Sequence, residues 1–224
     1  MTQADRWLGA MWPRVEGWLP PAPARVLEIG CGPLGGFVPM LRADGYEPIG
    51  VDPKAPEGDD YRRVAFERLE PGGAFDAVIA SASLHHVAAP GEVMDRIADV
   101  LAPGGQVLVI EWDWEAFDQA TADWCFARLG PSDDGHGWLR HHRDRWTASG
   151  RAWHEYLAEW AREGRIHPTR ELLALLRERF RVDPPEHGPY VFADLPQTSE
   201  ADERAAIEAG TIRATRVDIV CRRR

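Results

Sequence analysis

Glu28 stands two residues before the run Gly30-Cys31-Gly32-Pro33-Leu34-Gly35, and Asp52 follows roughly twenty residues later. Those residue types suggest a ligand site before any fold is assigned. Closely spaced glycines let a ligand approach the backbone. A helix starting just beyond them would offer free N–H groups and the positive end of its dipole. Such a turn holds a polar, often anionic ligand. The glycines also fit G-x-G-x-x-G, and Asp52 sits where a dinucleotide site places its acid. Glu28 fits that reading poorly, because a carboxylate does not help to hold a pyrophosphate. Farther along, His85 and His86 are adjacent imidazoles able to take a proton at neutral pH. Glu111 and Asp113 are alternative bases. Each also has a plain structural reading: an Asp before Pro53 suits a solvated turn, and one histidine of a pair often faces the core.

The elements that must position these groups read as an alternating α/β chain. Residues 24–29 are a short apolar strand, suited to a parallel sheet covered on both faces. The glycine turn leads into a helix ending near Ala43, and Pro48–Val51 form a second strand with Asp52 at its carboxyl end. Ligand groups gather at the carboxyl ends of strands in open parallel sheets. Further strands are expected at Tyr61–Phe66, Phe75–Ser81, Gln106–Trp112, Phe180–Asp183 and Ile212–Cys221, with Tyr190–Leu195 as a short extended segment. A helix from Pro90 carries Val93, Ile97, Val100 and Leu101 on one face. Residues 4–19 have helical spacing of Trp7, Leu8, Met11, Trp12, Val15 and Trp18, stopped by Pro20 and Pro21. That helix either packs on the core or covers the site. Thr169 is expected to cap a later helix, and Ser199 with Asp202 forms a capping box.

The chain has 224 residues with a formal net charge of −10. That charge disfavours a nucleic-acid backbone as main partner. Cys31, Cys125 and Cys221 are odd in number and widely spaced, which suggests neither a disulfide framework nor a zinc site. No metal site is expected. No apolar run is long enough for a membrane span, so the expectation is a soluble cytoplasmic protein. Seven tryptophans (112, 114, 124, 138, 146, 153 and 160) fall in one stretch. They either fill the core of an insertion or line an aromatic pocket. Segments 116–129 and 144–163 look helical, divided by a turn at Gly130–Gly135.

Glu28-x-Gly30-x-Gly32, the Leu84-His85-His86 tail after the fourth strand, and Leu101-x-Pro103-Gly104-Gly105 before the fifth resemble class I S-adenosylmethionine-dependent methyltransferases of the small-molecule, Leu-His-His type. The resemblance covers residues 24–112. It implies one domain over 1–224, a Rossmann-like doubly wound seven-stranded sheet with an antiparallel last strand, an N-terminal helix over 1–21 and a helical cap inserted at 113–168. It implies S-adenosyl-L-methionine as cofactor, held by Glu28, Gly30, Cys31, Gly32, Pro33, Asp52, Pro53, Phe66, Glu67 and Ser81. Glu70 is a second candidate beside the adenine. The reaction implied is in-line methyl transfer to an oxygen or nitrogen of a small acceptor, with His85, His86 and Glu111 as catalytic candidates. An aromatic or amine acceptor stays open. A non-catalytic binder of the same cofactor and a nicotinamide oxidoreductase are the alternatives.

Overall fold

A computed structural model describes residues 2–70, 72–130 and 137–223. The expected turn through Pro131–Gly135 lies outside the described residues. In chain order the elements are α1 (Gln3–Trp18), β1 (Arg25–Ile29), α2 (Val38–Ala43), β2 (Glu47–Val51), β3 (Tyr61–Arg62), β4 (Phe75–Ser81), α3 (Pro90–Val100) and β5 (Leu101–Trp112). They continue as α4 (Gln119–Phe126), α5 (Trp138–Ser149), α6 (Trp153–Gly164), α7 (Thr169–Arg179), β6 (Phe180–Val182), β7 (Glu186–Gly188), α8 (Glu200–Glu208) and β8 (Arg216–Arg223).

The sheet runs β3-β2-β1-β4-β5-β8-β6, with β7 paired to β8 off that path. Strands β1 to β5 pair in parallel. Strand β8 is antiparallel to β5, Ile110 facing Asp218 and Trp112 facing Arg216. The expected doubly wound sheet with its antiparallel last strand is therefore present. Its strand count is eight among the described residues, because Glu186–Gly188 adds a short strand after Pro184-Pro185.

Alternation along the central strands gives each face a core. Leu27, Ile29, Val78, Ala80, Val107 and Val109 point to one side, where α3 and α7 add Val93, Ile97, Leu172 and Leu176. Val26, Ala77, Ile79, Leu108 and Ile110 point to the other, against Met11 and Val15 of α1 and Leu41 of α2. Glu28 alternates with Leu27 and Ile29, so its carboxyl falls on the α2 side. A third cluster is built by the chain after β5: Trp112, Phe117, Cys125, Leu139, Trp153, Tyr156 and Leu157, with the remaining tryptophans of that stretch packed around it.

Several expected boundaries move. Strand β3 keeps only Tyr61–Arg62, and Phe66–Arg68 is a 3-10 turn. Val191–Asp194 is likewise a 3-10 turn, not an extended segment. The helix expected over 144–163 is two helices, because Gly150 adopts a left-handed backbone and closes α5. Thr169 is the first residue of α7, after an N-cap at Pro168, and makes no capping bond. The Ser199–Asp202 capping box is present.

Candidate active site

The glycine turn is built around Glu28. Its Oε2 accepts the Phe37 N–H at 2.8 Å, and it also draws on the Val38 N–H. Gly36 has a left-handed backbone, and a side chain there would collide with the Glu28 carboxyl. Chain and acid therefore interlock. This corrects the expectation of free N–H groups at the start of the helix. Helix α2 begins only at Val38, and its leading amides are already taken by Glu28. The acid is buried and, among the described residues, faces no cation, so burial pushes its pKa from 4.5 up to about 8. Gly30 is required for a different reason: at φ +80°, a Cβ would lie 2.4 Å from Cβ of Ser83. The Ser83 hydroxyl donates to the Ile29 carbonyl, tying the loop after β4 to the tip of β1.

Three adjoining cavities open along the carboxyl ends of β1, β2 and β4. The first, about 330 Å³, is walled by Ile29, Gly30, Val51, Asp52, Pro53, Phe66, Glu67, Ser83, His86 and Val87, among others. Asp52 is half-buried there and accepts the Lys54 N–H through Oδ1 at 2.6 Å. The second, about 240 Å³, lies between Glu28, Gly30, Cys31, Pro33, Leu34 and Ser81 on one side and Ala4, Trp7 and Leu8 of α1 on the other. The third, about 360 Å³, is walled by Gln3, Ala4, Trp7, Trp138, Tyr190, Ala193 and Asp194. Gly30 borders the first two, Ala4 and Trp7 the last two, and Ala82 all three. Ala82 holds a left-handed backbone at φ 48°, a strained conformation for a residue with a Cβ.

A family model described as a methyltransferase domain matches residues 3–179. The chain belongs to the methyltransferase domain family. A ubiquinone biosynthesis O-methyltransferase of Bradyrhizobium sp. (strain ORS 278) is 33% identical over 108 residues, 42% of this chain and 42% of that protein. The chain thus spans well under half the length of that curated relative. Among solved structures, a putative S-adenosylmethionine-dependent methyltransferase from Listeria monocytogenes superposes with TM-score 0.57 at 15% identity, covering 96% of this chain and 99% of that one. An S-adenosylmethionine-dependent methyltransferase from Mesorhizobium loti gives TM-score 0.55 at 20% identity, covering 96% and 98%. At these identities the structural likeness is one of fold.

In this methyltransferase domain the residues expected to touch cofactor fall on the first two cavities, with the exception of Gly32. Glu28, Cys31, Pro33 and Ser81 line the second, Asp52, Pro53, Phe66 and Glu67 the first, and Gly30 both. Gly32 is absent from both walls, and Glu70 from the wall that includes Glu67. Burial and the nearby charges of Glu28 and Asp52 push the Cys31 thiol up to about 12, so it stays protonated.

The three catalytic candidates separate. His86 lines the first cavity, and its pKa is lowered by burial and by neighbouring His85. His85 and Glu111 lie behind the wall, both buried. Glu111 accepts the Ser83 and Leu84 N–H groups at 3.0 and 2.7 Å through Oε1, while Oε2 lies 2.5 Å from Nδ1 of His85. Neither lines any of the three cavities. Glu111 thus holds the loop after β4 in place, with His85 against its second oxygen.

The third cavity went unread in the sequence. In the sequence Trp7 reads as part of an amphipathic helix that packs on the core or covers the site, and Asp194 as part of an extended run. In α1, Met11 and Val15 sit in the core, while Ala4, Trp7 and Leu8 face the cavities. The tryptophan-rich stretch behaves likewise. Most of its rings pack on one another, and Trp138 reaches the third cavity. Among the described residues no cluster of His, Cys, Asp and Glu could hold a metal ion, and no helix is long and apolar enough to cross a membrane.

Proposed function

We propose that this domain transfers a methyl group from S-adenosylmethionine to an oxygen or nitrogen of a small organic acceptor. The observation that carries the reading is the line of three adjoining cavities meeting at Ala82. The first two match the cofactor in chemistry. Ile29, Val51, Phe66 and Val87 offer apolar walls for an adenine, and Glu67 an acceptor for its amino group. Asp52 is an acceptor at the tip of β2, suited to ribose hydroxyls. The uncompensated Glu28 borders the second cavity, where the ammonium of an amino-acid moiety would supply its missing counter-charge. The third cavity is then left for the acceptor.

When bound, this cofactor supplies a methyl on a sulfonium whose departure as a neutral thioether needs no acid. The protein's task is to align two reactants and keep water out. Glu111 and His85 fix the Ser83–Leu84 backbone and so set the position of Ala82 at the junction. Trp7 of α1 closes over the second and third cavities together. The relatives named as acting in ubiquinone biosynthesis are O-methyltransferases, which is compatible with an oxygen acceptor but covers only the shared stretch. Isothermal titration with S-adenosylhomocysteine tests the reading: saturable one-to-one binding is expected, and no heat at millimolar ligand would overturn it.

A further inference from the structure

Resting on that reading of the site, we infer that the third cavity takes an amine, recognised as a cation by Trp7, Trp138 and Tyr190 and relieved of a proton by Asp194. The cavity presents three large aromatic walls and one carboxylate. Asp194 accepts hydrogen bonds from the Gln3 side-chain amide and from the Trp138 indole, both neutral donors. The Arg6 guanidinium pulls the Asp194 pKa down through its charge, but its hydrogen bonds go to the carbonyls of Phe192, Ala193, Leu195 and Thr198. Glu203, packed behind the same segment, adds a like charge. Burial and that neighbour push the Asp194 carboxyl up to about 7. Arg6 offsets the carboxylate only in part, since the net push is upward, so an ammonium would be favoured beside it, and aromatic faces bind cations through their negative quadrupole. An anionic acceptor would meet the Asp194 carboxylate.

The chemistry balances with the groups present. Between an alkylammonium and a carboxylate whose pKa burial has raised, desolvation disfavours both charged forms. The proton passes from nitrogen to Asp194, freeing the nitrogen lone pair. That pair forms the N–C bond to the methyl as the C–S bond breaks, its electrons going to sulfur. The product is a methylated ammonium and a neutral thioether, and Asp194 returns its proton to solvent.

The test uses the full chain saturated with S-adenosylhomocysteine and two probes of one skeleton, 2-phenylethylamine and 2-phenylethanol. Calorimetry is expected to show the amine at least tenfold tighter than the alcohol. Asp194→Asn erases that preference while leaving S-adenosylhomocysteine affinity within twofold, and Asp194→Glu retains it. Trp138→Leu, with the carboxylate intact, weakens the amine more than the alcohol, which decides the matter even should Asp194→Asn fail to fold. Equal affinities, binding of neither probe, or a preference surviving both the Asn and Leu changes overturns the amine assignment. Failure of S-adenosylhomocysteine itself to bind is a separate result and overturns the reading of the first two cavities.

Discussion

Replacing Glu28 by Gln probes the centre of the site. The carboxyl is 2% exposed, accepts the Phe37 N–H and has no cationic partner among the described residues. Its folded pKa of about 8 lies above the ordinary 4.5, so burial disfavours the ionised form. The contribution of Glu28 to stability is therefore intact below pH 4.5 and is lost as pH rises through about 8. At about 1.36 kcal/mol per pKa step, the loss is on the order of 5 kcal/mol when complete. Glutamine keeps an acceptor for Phe37 and never ionises. Urea unfolding of both proteins at pH 5, 7 and 8.5 should show the variant gaining on the wild type steadily with pH. Bound S-adenosylhomocysteine should reverse the order, because its ammonium compensates the acid in the wild type alone, and Gln should bind it about 10- to 100-fold more weakly. Unfolding curves that stay parallel across this pH range would refute the argument.

The other expectations concern the walls. Asp52→Ala should weaken S-adenosylhomocysteine binding about 10- to 100-fold, by calorimetry, with little change in melting temperature. Glu111→Ala strands the Ser83 and Leu84 N–H groups and His85, and should cost about 2–4 kcal/mol in urea unfolding. His142, buried among Trp112, Trp138 and Trp160 and bonded to Tyr156, has its pKa lowered from 6.5 to about 4 by burial. Its stabilising contribution is intact above pH 6.5 and is lost as pH falls toward 4, about 3 kcal/mol in all, and His142→Phe should flatten that acid limb. Glu203→Gln should disturb the Tyr190–Phe192 turn, whose Tyr190 and Phe192 N–H groups it accepts, and lower affinity for 2-phenylethylamine without altering that for S-adenosylhomocysteine.

The alternating core was legible because its signals are local. Apolar runs such as Val26–Ile29 and Ala77–Ala80, each followed by a glycine or polar turn, need no distant partner to be recognised. Asp52 and Phe66 were legible for the same reason, lying where a strand tip or its following turn places them. The role of Glu28 was only half legible. Its position in the motif is local, but its bond to Phe37 depends on how the glycines fold back over β1. The pairing of Glu111 with Ser83, Leu84 and His85 joins segments that share no sequence pattern. The third cavity was illegible because α1, α5 and the Val191–Asp194 turn each supply one wall from a different part of the chain. Strands β3 and β7 are too short for periodicity to define them.

The most direct measurement is a crystal structure with S-adenosylhomocysteine bound. The account predicts its adenosine among Phe66, Val87 and Asp52, its amino group on the Glu28 side of the glycine turn, and its sulfur beside Ala82, facing Trp138 and Asp194. Ligand density elsewhere, or Asp52 turned away from a ribose that does sit there, would contradict it.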